Sequence, residues 1–197
     1  MIPQAAPARR IARFRRQVDE AVAEIGGDVI GVAGDVASLA DLDRLFEQIR
    51  RDHGRLDVVF ANAGLSESAA LGAIEEAHFD RIFGINVKGL LFTVQKALPL
   101  MTAGGSIVLN GSGSGSKGFA ALSVYSATKA AIRSFARTWT SDLKARGIRV
   151  NSIAPGPTAT DFNGGAMRDD ADLRDGLAAR TALGRVGQPD EIADAGE

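Results

Sequence analysis

The chain has 197 residues, a formal net charge of -1, no cysteine, 45% apolar residues and 24% charged residues. This length fits one domain with a substantial core, and the near-neutral charge supplies no field to draw nucleic acid or an anionic membrane surface. The lack of cysteine excludes disulfides and thiol catalysis and fits a reducing, cytoplasmic setting; with His53 and His78 as the two histidines, a metal site of the nitrogen/sulfur type is not expected.

The first seventeen residues hold five arginines and no acidic residue. That bias matches an organelle transit peptide, but serine is absent, and the plainer reading is a helix with a solvated basic face. Ile11, Phe14, Val18, Val22 and Ile25 fall on one helical stripe, and Gly26-Gly27 stops it. Residues 29–33 form a short β-branched run ending at Gly34-Asp35. Ser38, with Asp41 three residues on, caps the next helix; Leu42, Leu45, Phe46 and Ile49 are its apolar stripe and Gly54 ends it.

Residues 56–60 read as a strand covered on both faces. Residues 75–101 are mostly helical, with Pro99 near the end. Gln95, Lys96 and Pro99 interrupt the apolar stretch there, well short of the roughly twenty residues a membrane span needs. Residues 106–109 are a third buried strand, followed by a glycine/serine loop over 111–118. Residues 123–145 form a second long helix, and 149–154 a fourth strand closed by Pro155-Gly156. The tail holds a polar loop and two short helical pieces, the last starting after Pro189. Short strands alternating with helices predict βαβ units and a parallel sheet with right-handed crossovers. Ligands in such sheets bind beyond the carboxyl ends of the strands. Asp35, Asn62, Ser112 and Pro155 each follow one.

Tyr125-Ser126-Ala127-Thr128-Lys129 places a phenol and an ammonium one helical turn apart on one face. An unperturbed phenol, with a pKa of about 10, is a poor base. A cation ~4 Å away stabilises phenolate by about 4 kcal/mol at an effective dielectric near 20, and by about 1 kcal/mol in bulk water. The pair therefore predicts a closed site where Tyr125 exchanges protons with an alcohol or carbonyl. A half-buried tyrosine beside a solvated lysine is the plain alternative. Ser112, thirteen residues earlier, could orient a substrate oxygen; Ser114 and Ser116 compete for that role, and the loop could be a simple connector.

These pieces belong to a longer ordered series: Gly34-Asp35-Val36, Ala61-Asn62-Ala63-Gly64, Asn86-Val87-Lys88-Gly89, Ser112 with YSATK at 125–129, RVNSIAPGPTATDF at 149–162 and GRVGQPDEIADA at 184–195. In that order, over about residues 28–194, the chain resembles the short-chain dehydrogenase/reductase family. The resemblance implies a Rossmann-like, doubly wound parallel sheet flanked by helices, and an NAD(P)-dependent oxidoreductase that interconverts a secondary alcohol and a ketone. It implies Tyr125 as general acid/base, Lys129 as the residue that lowers its pKa and grips the nicotinamide ribose, Ser112 on the substrate carbonyl, and Asn86 supporting a proton relay. Asp35 and Val36 would border the adenine. Asn62, Ala63 and Gly64 would pass close to the cofactor, NAD or NADP, and Pro155, Gly156 and Thr160 would meet the nicotinamide end. Taken alone, Asp35 reads equally as a turn cap and Asn86 as a satisfied buried amide. The family also implies a homodimer or homotetramer built through the two long helices, and substrate choice in the loop over 158–180, whose Asn163, Gly164, Gly165 and Met167 suggest a mobile lid.

Against the family pattern, the 197 residues contain no TGxxxGxG turn, which presents backbone N–H groups to a pyrophosphate. The expectation is one incomplete domain over 1–197, without the family's first two strands or its last. Arg15-Arg16 is a possible remnant of the second strand, and arginine there would favour a 2′-phosphate. The strand over 29–33 then loses its ladder neighbours; it must pair with residues 56–60, pair with another chain, or remain loose. Two functions follow: the oxidoreductase, with nicotinamide binding weakened, and a catalytically silent remnant that keeps only helix-mediated self-association.

Overall fold

The computed structural model describes residues 7–165 and 169–195. Helix α1 (Pro7–Ile25) ends where Gly26 and Gly27 take φ values of 70° and 66°, a conformation glycine reaches without a Cβ clash. The side chains of Ile11 and Phe14 in its predicted stripe lie outside the described set. Val18 and Val22 rest directly on Gly31, where an added Cβ would meet Val18 Cγ1 at 2.4 Å. Arg15 and Arg16 lie within this helix, and Arg16 pairs with Glu20 one turn on at 3.5 Å, so they are no part of a strand. Helix α2 (Leu39–Asp52) starts at the expected cap: Ser38 Oγ accepts from the Asp41 N–H at 3.3 Å and donates to Asp41 Oδ1 at 3.0 Å. Leu42 and Phe46 turn inward.

Three parallel strands form the sheet, β1 (Leu56–Ala61), β2 (Met101–Asn110) and β3 (Arg149–Ile153), in that spatial order. The first crossover is the long helical run expected from the sequence, resolved into α3 (Glu76–Phe83), a π-helical turn (Gly84–Gly89), α4 (Leu90–Ala97) and a short 3-10 turn (Leu98–Leu100). The second is α5 (Ser123–Asp142). The core joins Val59 and Ala61 of β1 with Ile107 and Leu109 of β2, under Leu90 and Val94 of α4 and Ile132 and Ala136 of α5. Ala61 pairs with Leu109 and Asn110 with Ile153, so all three carboxyl ends finish level. Two short helices close the chain: α6 (Ala171–Ala178), capped by Asp170, and α7 (Pro189–Asp194), where Gln188 and Glu191 form a capping box.

The result is a Rossmann-like α/β sheet flanked by helices, with two departures from expectation. Residues 29–33 make no ladder with any described strand, and Ile30 is 57% exposed. Of the predicted outcomes, pairing of 29–33 with residues 56–60 is the one the described residues do not show. β1 is covered on one face only: Val59 and Ala61 are buried, whereas Val58 and Phe60 are 61% and 53% exposed. Strand side chains alternate, so an uncovered second face shows at every other residue. Among the described residues, no helix is long and apolar enough to cross a membrane.

Candidate active site

Tyr125 and Lys129 lie in the first turns of α5, on the face turned to the carboxyl ends of the strands. Both are buried, at 9% and 5% exposure, and Lys129 Nζ sits 5.7 Å from the centre of the tyrosine ring. The ammonium donates to the main-chain carbonyl of Asn110, the last residue of β2, at 2.8 Å. Burial lowers the Lys129 pKa from 10.5 to about 8. It raises that of Tyr125, while a hydrogen bond with Ser112 pulls the phenol the other way. The sequence argument expected the lysine to make the phenol more acidic. Here desolvation of the phenol is the larger effect, because a dry pocket penalises phenolate before any neighbour can favour it.

Ser112 arrives at Tyr125 from the end of β2. Its Oγ also accepts from the Ser114 N–H at 3.1 Å, which pins the start of the glycine/serine loop. The Gly113 N–H donates to Pro155 O at 3.0 Å and couples this loop to the end of β3. The loop then crosses α5 so closely that a Cβ on Gly115 would lie 2.9 Å from the carbonyl carbon and oxygen of Lys129. Only glycine fits that crossing. Ser116 donates to Gly113 O at 3.2 Å, a turn contact; of the three competing serines, Ser112 is the one hydrogen-bonded to Tyr125.

Asn86 is fully buried inside the π-helical turn, a distortion that concentrates at functional sites. Its Nδ2 donates to Leu65 O at 2.8 Å and to Thr128 Oγ1 at 3.1 Å, and its Oδ1 accepts from the Leu65 N–H at 2.8 Å. Thr128 Oγ1 donates in turn to Tyr125 O at 2.7 Å. One amide thus ties the loop after β1 to the helix that carries the tyrosine. Gly64 lies in that loop, and a Cβ there would stand 3.6 Å from both Lys129 Nζ and Asn86 Oδ1.

A family model described as enoyl-(acyl carrier protein) reductase matches residues 7–196. Oxidoreductase asL5 of Sarocladium schorii is 44% identical over 182 residues, covering 91% of this chain and 72% of that protein. The structure of a short-chain dehydrogenase/reductase from Serratia marcescens superposes with a TM-score of 0.83 at 30% identity, covering 97% of this chain and 75% of the other. This chain belongs to the short-chain dehydrogenase/reductase family. A further relative of known structure, a short-chain dehydrogenase from Burkholderia cenocepacia in complex with NADP, is 28% identical with a TM-score of 0.80, covering 93% of this chain and 74% of that one.

In this short-chain dehydrogenase/reductase the structure brings together Ser112, Tyr125, Lys129, Asn86 and Gly64, with Asn62 linked through Asn110, which donates from Nδ2 to Asn62 Oδ1 at 2.5 Å. Ala63 is exposed between Asn62 and Gly64. Val36 packs on the π-helical turn, where a Cβ on Gly89 would meet Val36 O at 3.0 Å. Asp35 shapes the turn into α2: its Oδ1 accepts from the Ala37 N–H at 2.9 Å and its own N–H donates to Asp41 Oδ2 at 2.9 Å. Gly156 and Thr160 make contacts inside their own loop, Gly156 O accepting from Thr158 Oγ1 at 3.2 Å and Thr160 Oγ1 from the Phe162 N–H at 3.3 Å. Met167 of the predicted lid lies outside the described residues. Three participants were missed from sequence: Asn110, Thr128 and the Leu65 backbone. An asparagine closing an apolar strand and a threonine beside the lysine were the available signals.

Proposed function

We propose that this family member catalyses NAD(P)-dependent interconversion of a secondary alcohol and a ketone, with Tyr125 as the proton-transferring group. The observation that carries this reading is the convergence of Ser112, Tyr125, Lys129 and Asn86 at level strand ends, with the ammonium enclosed at 5% exposure. Three features suit a nicotinamide riboside here: a buried donor at Lys129, the glycine cradle at Gly64, and a buried acceptor, Asn110 Oδ1, with no hydrogen-bond partner. The pyrophosphate-binding turn is not among the 197 residues, so the fit concerns the nicotinamide end.

When bound, the dinucleotide supplies or accepts the hydride. The chain's own residues handle the oxygen and its proton. Ser112 holds the substrate oxygen through its hydroxyl. With its pKa raised by burial, Tyr125 is a neutral phenol at pH 7 and stands ready to donate its proton to a carbonyl oxygen that gains charge. In the reverse direction Tyr125 must accept the alcohol proton, which becomes easier as pH rises. Lys129, charged below about pH 8, offsets negative charge that develops on either oxygen. Asn86 keeps the loop after β1 and α5 in register around them.

A catalytically silent role is the second reading, favoured by the exposed face of β1 and by residues 29–33, which join no ladder among the described residues. One experiment separates the two: calorimetric titration with NADP(H) and NAD(H), followed by ketone reduction at saturating coenzyme for the wild type and Tyr125→Phe. Turnover should vanish in Tyr125→Phe with binding unchanged. Turnover that survives the substitution refutes the mechanism, and a wild type that binds coenzyme without turning over any ketone favours the silent role.

A further inference from the structure

The Lys129 ammonium is held by a strand-end carbonyl, that of Asn110. Asn110 is the last ladder residue of β2, opposite Ile153. Immediately beyond it the chain turns, the Gly111 N–H being shared between Leu109 O and Ile153 O. Strand termini at such turns open most readily. Beyond its backbone N–H, Asn110 has three polar groups, each with a distinct place. Its carbonyl receives the ammonium at 2.8 Å, its Nδ2 donates to Asn62 Oδ1 at 2.5 Å, and its Oδ1 is buried with no partner. Because Ala61 pairs with Leu109, Asn62 and Asn110 are the adjacent residues at the ends of neighbouring strands, where a cross-strand side-chain pair fixes the two ends together.

We propose that Asn110 is a positioning residue: its amide clasps the end of β1 through Asn62, and its carbonyl thereby holds the Lys129 ammonium beside Tyr125. The inference rests on the oxidoreductase reading for its purpose but not for its physics. Without the clasp the end of β2 swings away from Asn62, the carbonyl leaves the ammonium, and the lysine side chain, long and flexible, reaches water instead. The other faces of the Lys129 pocket hold Tyr125 from α5, Gly64 from the loop after β1 and Asn86 from the π-helical turn. Tyr125 is the titratable group among these, and none carries a charge at neutral pH. Enclosure rather than a charged neighbour therefore governs the lysine.

The test is carbon-13 NMR of the chain labelled at lysine Cε. There are five lysines, Lys88, Lys96, Lys117, Lys129 and Lys144, and the Lys129 signal is identified by its loss in Lys129→Met. The wild-type midpoint is expected at about 8. In Asn110→Ala and in Asn62→Ala, which break the clasp from opposite ends, it should rise by about one pH unit or more toward the ordinary lysine value. An unchanged midpoint in both variants overturns the proposal, as does a wild-type midpoint near 10.5. Loss of the native far-UV signal in both variants also overturns it, because the clasp would then support the fold rather than position the lysine. If only one variant folds, that variant decides. Coenzyme titration of the same samples keeps the two ideas apart: a wild type that binds no nicotinamide refutes the oxidoreductase reading and leaves the lysine result standing.

Discussion

Replacing Lys129 by methionine tests how dry the site is. The folded chain holds this lysine at a pKa of about 8, against 10.5 for a solvated one. Between those values the unfolded chain binds the extra proton, so wild-type stability rises with pH across that window. Below about pH 8 the full penalty for burying the ammonium is present; above 10.5 it is gone. The shift corresponds to about 3 kcal/mol, at roughly 1.4 kcal/mol per pH unit. Methionine fills similar space without charge. It forfeits the hydrogen bond to Asn110 O, a loss of about 1–3 kcal/mol for the carbonyl left behind, and that loss does not vary with pH. Urea unfolding of both proteins at pH 7, 8, 9 and 10, at constant ionic strength, should show the variant losing ground to the wild type by about 1.4 kcal/mol per pH unit above pH 8. Parallel stability profiles would mean that Lys129 titrates as a solvated amine, and the enclosed-site reasoning would fall.

Other expectations follow from the same contacts. The chain has a single tyrosine, so tyrosinate absorbance reports Tyr125 alone: its midpoint should lie above 10 in the wild type and higher still in Ser112→Ala, which removes the hydrogen bond that opposes burial. A midpoint below 10 contradicts the burial argument. Asn86→Ala strips partners from Leu65 N–H and C=O and from Thr128, and should cost about 3 kcal/mol in chemical denaturation. Gly115→Ala forces the loop off α5 and should cost about 1–3 kcal/mol, with the tyrosine midpoint rising as Ser112 is displaced. Phe60→Lys, on the open face of β1, should change monomer stability by no more than about 0.5 kcal/mol and reduce self-association in sedimentation velocity; unchanged association would show that this face takes no part in it.

Much of the site is legible in the sequence because it is local. A tyrosine and a lysine four apart share a helix face whatever surrounds them, and Ser38 with Asp41 caps α2 through atoms three residues apart. Short strands alternating with helices predict the parallel sheet, and that sheet brings the strand ends level. Where the site depends on contacts between distant segments, the sequence is silent. Asn86 meets Leu65 across 21 residues and Thr128 across 42, and Asn110 meets Asn62 across 48; no periodicity encodes such pairs. The direction of the Tyr125 shift was misjudged for the same reason. Spacing fixes how near the ammonium is, but burial is set by everything packed around the phenol.

The chain's own residues therefore determined the family, the alternating α/β order and the shared face of Tyr125 and Lys129, since each follows from neighbours along the backbone. Tertiary structure alone decided that residues 29–33 join no ladder among the described residues, that β1 shows one bare face, and that a strand-end carbonyl takes the ammonium. Ladder partners, desolvation and strand-end contacts are properties of what lies alongside in space, and only the folded chain brings those groups together.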